Sequence, residues 1–119
     1  MVFVTADRCR ARLERLTRLL VAAFPGSTIY QHTELLRVPH DVLNHNVDAV
    51  LLEAAPDALE LAEKLRRRKP NVPVFFTADT EASLWEAGAS DADGCFILPE
   101  GEPRLLEALR GTNPNANVS

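Results

Sequence analysis

Polar side chains that could do chemistry end or follow three apolar runs of this sequence. Glu53 ends one run, Asp7 comes shortly after another, and Thr77 ends a third. In open α/β sheets, ligands and reacting groups lie at the carboxyl ends of the strands. If the three runs are parallel strands, two carboxylates and a hydroxyl meet at one edge of a sheet. Such a set suits a small molecule or a metal ion such as Mg²⁺, which takes oxygen ligands.

Five apolar runs predict the strands that position these groups. The run that ends at Glu53 is too short for a globular helix. It contains Val47 and Ala49–Leu52, and this composition is typical of a strand buried on both faces of a parallel sheet. The second strand is expected near an edge of the sheet. The predicted strands are Val2–Val4, Thr28–Tyr30, Val47–Glu53, Val72–Thr77 and Gly94–Leu98.

Leucines and alanines at helical spacing predict a helix after each strand. The first helix has Leu13, Leu16 and Leu20 inward and Arg12 on the other side, and Asp7 is its predicted N-cap. Asp57 is the predicted N-cap of the third helix. The second helix is expected after Pro39, and the fourth over Glu81–Ala87 with Gly88 as its C-terminal cap. The last helix is expected after Pro103, with Leu105, Leu106 and Leu109 inward.

This alternation predicts one (βα)5 domain with a doubly wound parallel sheet. Right-handed crossovers then place helices on both faces in the flavodoxin-like strand order 2-1-3-4-5. The domain is predicted over residues 1–110. Residues 111–119 are polar and are interpreted as a tail or linker.

Composition excludes several classes of function. The formal net charge of −4 gives no surface field for nucleic acid, and Arg66–Lys69 is interpreted as a basic helix end. No apolar run approaches membrane-spanning length. Two cysteines are too few for a disulfide framework, so the expected location is the cytoplasm.

Cysteine and histidine chemistry is not expected. Cys95 lies in a predicted strand and is interpreted as a small buried hydrophobe. The three histidines, His32, His40 and His45, have no metal-ligand spacing with cysteines or carboxylates and are predicted on the surface. With no nucleotide-binding loop and no nucleophile elbow, the chain is not expected to be an enzyme or to hold a cofactor.

From Val2 to Leu109 the chain resembles the receiver domain of bacterial response regulators. The order of the elements carries the resemblance. Asp48–Glu53 is similar to the family's D-x-V-L-L-D motif, and Val72-Pro73-Val74 stands at the start of strand four, as in the family. Glu86–Ala89 matches its x-x-G-A, and Phe96–Pro99 matches its Y-L-x-K-P.

The resemblance implies a phosphorylation pocket whose main groups are replaced here. The phosphorylated aspartate falls on Glu53, and the lysine after strand five falls on Leu98, which is followed by a retained proline. The hydroxyl after strand four falls on Thr77 or Ala78. The degenerate pocket comprises Thr5 and Ala6 at the acidic pair, Asp7 one place late, Glu53, Thr77, Leu98 and Pro99.

Three interpretations of Glu53 remain open at this point. It is a solvated residue at a strand end, a fixed negative charge in the place of a phosphate, or a metal ligand. Glutamate is one methylene longer than aspartate, which exceeds the roughly 0.5 Å tolerance of a preorganised site. Phosphorylation at Glu53 is therefore not expected.

The sequence favours an atypical, phosphorylation-independent receiver-like domain for signalling and protein–protein interaction. By resemblance, its partner is an effector domain, another protein or a second copy of the chain. The predicted interaction surface is helix four, strand five and helix five, near Trp85, Phe96 and Leu105. The alternative is a sensor that binds a small molecule or metal at the strand carboxyl ends.

Overall fold

The computed structural model describes residues 1–87 and 93–112. Within them, five parallel strands form one sheet in the order β2-β1-β3-β4-β5, which confirms the predicted topology. The strands are β1 (Val2–Ala6), β2 (Thr28–His32), β3 (Ala49–Glu53), β4 (Val74–Ala78) and β5 (Gly94–Ile97).

Five helices are described between and after the strands, with one short 3₁₀ turn at Leu35–Arg37. They are α1 (Arg10–Ala23), α2 (Val38–Asn44), α3 (Pro56–Arg68), α4 (Glu81–Ala87) and α5 (Glu102–Gly111). None of the helices in the described ranges is long and apolar enough to cross a membrane.

Burial of β3 on both faces explains why its sequence is continuously apolar. Its first four residues, Ala49 to Leu52, are fully buried, and β1 and β4 flank it. Alternate side chains point to opposite faces. Leu51 packs with residues of α1 and α5, whereas Leu52 packs with residues of α2 and α3. The sheet thus has a core on each face.

All five strands have ends different from those predicted. β2 continues to His32, β3 begins at Ala49 and β5 ends at Ile97. β1 continues through Thr5 and Ala6, both buried, so these residues belong to the sheet and not to a loop. β4 begins at Val74 and ends at Ala78. Pro73 has no N–H for a strand ladder, although its carbonyl oxygen accepts from Val50 N–H at 3.0 Å.

Both predicted N-caps are wrong. α1 begins at Arg10 after Cys9, and Asp7 accepts the Cys9 N–H through Oδ1 at 2.7 Å, before the helix begins. α3 begins at Pro56 after Ala55, so Asp57 is the second helical residue. Proline at the first helical position has no N–H to satisfy, and Asp57 lies in the first turn, where a carboxylate is favourable.

The predicted burial of Cys95 is wrong, whereas the inward position predicted for Leu105 is confirmed and removes this residue from the predicted interaction surface. Cys95 is exposed, because β5 is an edge strand with β4 as its neighbour. Partial desolvation still raises the pKa of the Cys95 thiol. Leu105 is fully buried in the core beneath α5 and is therefore unavailable to a partner.

Trp85 and Phe96 are the other two residues of the predicted interaction surface. The backbone of Trp85 lies in α4, but its side chain lies outside the described part of the structure, as does the predicted cap Gly88. Phe96 is half-buried, and its ring lies 6.0 Å from that of Phe75.

Candidate functional site

The sheet register brings the ends of three central strands level with one another. Glu53 pairs with Thr77 across β3 and β4, and the Ala54 N–H donates to the Thr77 carbonyl oxygen at 2.8 Å. Asp7 follows the last residue of β1, which is paired with Leu52. The predicted meeting of Asp7, Glu53 and Thr77 at one edge of the sheet is therefore observed.

A cavity of about 450 Å³ opens at this edge. That volume lies within the range of small-molecule sites. Of the seven predicted pocket residues, Thr5 and Ala6 do not line it, because both are buried within β1. The other five do line it: Asp7, Glu53, Thr77, Leu98 and Pro99.

The guanidinium group of Arg12 lies among three carboxylates at this cavity. Its Nε and one terminal nitrogen donate to the two oxygens of Asp7, each at 3.1 Å. The same terminal nitrogen donates to Glu53 Oε2 at 2.7 Å. The other terminal nitrogen reaches Asp79 Oδ2 at 3.3 Å. One side chain of α1 therefore joins the segments that follow β1, β3 and β4.

Both oxygens of the Glu53 carboxylate have arginine partners. The side-chain Nε and backbone N–H of Arg8 donate to Oε1, each at 3.1 Å, while Arg12 holds Oε2. The Glu53 side chain is only 19% exposed. The interpretation of Glu53 as a solvated residue is therefore wrong, because ion pairs replace its water.

A second ion pair lies at the mouth of the cavity. Arg15 of α1 donates to both carboxylate oxygens of Glu102 on α5, with a shortest distance of 3.1 Å. This fork of two bonds fits the planar guanidinium group. It links the two helices that cover the same face of the sheet.

Charge pairing makes the arginines permanent cations of the site. Hydrogen bonds that each guanidinium group donates to a carboxylate are the largest cause that raises its pKa: to Glu53 for Arg8, to Asp7 for Arg12 and to Glu102 for Arg15. Four carboxylates nevertheless face three guanidinium groups around the cavity. A dianionic phosphoryl group would therefore enter a site that is already net negative.

The residues present do not fit the Mg²⁺ site that the receiver fold implies. Mg²⁺ requires near-octahedral oxygen ligands, yet Arg12 occupies the centre of the carboxylate set. No group of three or more potential ligands among the described His, Cys, Asp and Glu residues is arranged to hold a metal ion. The interpretation of Glu53 as a metal ligand therefore loses its support.

One polar atom beside the site has no partner. Thr5 is fully buried within β1, and its hydroxyl oxygen makes no hydrogen bond with the described part of the chain. Thr5 stands at one of the two positions where the family resemblance implies a carboxylate. The hydroxyl lies outside the cavity and supplies no ligand to it.

Sequence reasoning missed Arg12 and Asp79. Arg12 was assigned to the outer side of α1 because it is charged. It lies one turn before Leu16, however, and residues four apart share a helix face. The spacing therefore placed Arg12 on the inward stripe, at the end nearest the strand ends. The sequence indicates Asp79 more weakly, by its position directly after the fourth strand.

The histidines are not uniformly on the surface as predicted. His40 is exposed, but His32 is half-buried and its Nε2 is hydrogen bonded to Asp41 Oδ2. His45 stacks on Tyr30 with ring centroids 4.4 Å apart. These contacts tie α2 to the edge strand β2, away from the cavity.

Solved structures of receiver domains share the fold of this chain. A receiver domain of an HD domain-containing protein from Pseudomonas fluorescens Pf-5 aligns with a TM-score of 0.79 and 18% identity, over 99% of this chain and 98% of that one. A response regulator receiver protein from Pseudoalteromonas atlantica aligns with a TM-score of 0.77 and 17% identity, over 98% of this chain and 100% of that one. A two-component response regulator from Clostridium difficile aligns with a TM-score of 0.76 and 17% identity, over 98% of each chain.

Comparison with protein-family models gives no match, and comparison with curated proteins gives no significant match. The chain has the fold of response regulator receiver domains, as its sequence resemblance predicted.

Proposed function

We propose that this chain is a phosphorylation-independent receiver-like domain that serves signalling by binding other proteins. The observation that carries the proposal is the Arg12 guanidinium group held between Asp7, Glu53 and Asp79. In the family that the chain resembles, a metal ion is held by carboxylates at these strand ends, and here the carboxylates Asp7 and Glu53 bond to Arg12. The proposal includes no enzymatic activity, no cofactor and a cytoplasmic location.

The chemistry of phosphoryl transfer supports this proposal. Transfer to a carboxylate depends on positioning the acceptor and on cations that neutralise charge on the moving oxygens. Both Glu53 oxygens already accept hydrogen bonds from arginines, which lowers their nucleophilicity toward phosphorus. Leu98 presents an apolar wall where a lysine charge would be required.

Acetyl phosphate labelling tests the proposal. The full chain is incubated with Mg²⁺ and acetyl phosphate, and its intact mass is measured. We expect no phosphoryl adduct. Glu53→Asp restores the shorter carboxylate and should also remain unlabelled, because Arg12 still bonds to Asp7. A phosphoryl adduct on the unaltered chain would overturn the proposal.

The face formed by α4, β5 and α5 is the proposed interaction surface, and its support is the resemblance to receiver domains. Arg104 is exposed on α5 and Arg18 is exposed on α1, so the two offer matched charge reversals. If a homodimer forms through this face, sedimentation velocity should show that Arg104→Glu weakens it and Arg18→Glu does not. Equal effects of the two variants would contradict this surface.

A second candidate function is a small-molecule sensor, and the cavity itself favours it. Its wall includes apolar groups from Leu16, Ala55, Ala78 and Leu98 beside the charged cluster. A concave site with apolar walls and a few converging polar groups is typical of ligand pockets.

A further inference from the structure

The three carboxylate partners of Arg12 are held unequally. The side chains of Asp7 and Glu53 are only 8% and 19% exposed, and each lies within 3.1 Å of the guanidinium group. Asp79 is 55% exposed, and its contact of 3.3 Å is the longest of the set. Exposed ion pairs contribute little to stability. Asp79 is therefore the partner that another anion can replace at the smallest cost.

We propose that the cavity binds small organic monocarboxylates, with the ligand carboxylate on Arg12 in the place of Asp79. The inference deepens the second candidate function, because it names the class of ligand. The body of the ligand would lie against the apolar wall of Leu16, Ala78 and Leu98.

Charge balance selects a monocarboxylate over a phosphate. When Asp79 turns to solvent and one carboxylate replaces it, the number of negative charges on Arg12 does not change. A phosphate dianion adds a further negative charge beside Asp7 and Glu53, which remain bonded to Arg12. Like charges at such short range repel, and more strongly where burial lowers the dielectric constant.

The apolar wall selects ligands with a hydrocarbon body. Leu16 and Ala78 are buried next to the charged cluster, and Leu98 is half-buried. Apolar surface removed from water contributes about 25 cal/mol per Å². We therefore expect hexanoate and phenylacetate to bind more tightly than acetate, which carries the same charge on a smaller body.

Replacement of Asp79 by a ligand carboxylate on Arg12 would also affect α4. Asp79 lies between the end of β4 and the start of α4. The next residue, Thr80, accepts the Ser83 N–H through its hydroxyl oxygen at 3.2 Å, at the first turn of α4. Release of Asp79 removes the ion pair that holds this segment to Arg12. Ligand binding is thereby linked to one edge of the proposed interaction surface.

Amide NMR titrations of the full chain test the inference. Hexanoate, phenylacetate, hexanamide and inorganic phosphate are titrated separately, and shifts are followed at Ala78, Asp79 and Thr80. We expect saturable shifts with both carboxylates, and binding at least tenfold weaker with hexanamide and phosphate.

Asp79→Asn provides the sharper test, because it removes the internal competitor. It should tighten hexanoate binding by about two- to fivefold, the range that corresponds to an exposed ion pair. Glu63→Gln removes a charge from an exposed site on α3 and should leave the affinity unchanged.

Three results would overturn the inference: no saturable shift with either carboxylate, tighter binding of phosphate, or equal affinities for Asp79→Asn and the unaltered chain. None of them bears on acetyl phosphate labelling. Failure of this inference is therefore distinguishable from failure of phosphorylation independence.

Discussion

At the residue scale, one guanidinium group compensates carboxylates at the ends of three different strands. Arg12 contacts Asp7, Glu53 and Asp79, and the first two are largely buried. Buried carboxylates are stable as ions only when paired and hydrogen bonded. Arg12 therefore has a structural role that a surface arginine of α1 does not have.

Replacement of Arg12 by methionine should lower the free energy of unfolding by about 1–3 kcal/mol, because Asp7 and Glu53 lose their shared partner. Urea denaturation measures the change. Arg15→Met is the matched control, because Arg15 lies one turn further along α1, is 59% exposed against 41% for Arg12, and pairs with one carboxylate, Glu102. It should cost less than about 1 kcal/mol. Equal losses in the two variants would contradict the role of Arg12.

At the element scale, the start of α5 is fixed by close approach to the end of β5. The Gly101 N–H donates to the Ile97 carbonyl oxygen at 2.6 Å. A Cβ at Gly101 would lie 2.7 Å from that same oxygen. Since α5 also supplies Glu102 to the cavity, this contact sets the position of one wall of the site.

Gly101→Ala should therefore destabilise the fold by about 1–3 kcal/mol, because the clash is with backbone and requires α5 to shift. The control is Gly111→Ala, at the other end of α5, where nothing lies within 4 Å of the added Cβ. That change should be neutral or stabilising by up to about 1 kcal/mol, since alanine favours the helix. Thermal denaturation compares the two. If Gly101→Ala were as stable as the control, the packing argument would be wrong.

At the scale of the whole molecule, the sequence predicted the elements and their order better than the site. Apolar runs such as Ala49–Leu52 identify strands because burial on two faces demands continuous hydrophobicity. The burial of Cys95 was wrong, since the edge position of β5 depends on pairing and not on local composition. The N-caps were wrong by about two residues because proline and backbone geometry set the start of each helix.

The contacts of Arg12 could not be predicted from local sequence patterns. They join residues 5, 41 and 67 positions apart along the chain. The resemblance put Leu98 at the family's lysine position and Thr5 and Ala6 at its acidic pair, so a changed pocket was predicted. The position of the Arg12 guanidinium group among these carboxylates became visible only when three strand ends and the first turn of α1 were brought together.

Titration with Mg²⁺ followed by beryllofluoride, a stable phosphoryl mimic, tests the central claim most directly. Amide NMR shifts are followed at Asp7, Glu53 and Thr77. With Arg12 bonded to Asp7 and Glu53, we expect no saturable shift at these residues in either step. Saturable shifts that require both Mg²⁺ and beryllofluoride would show that the site still accepts a metal ion and a phosphoryl group, and would contradict the account.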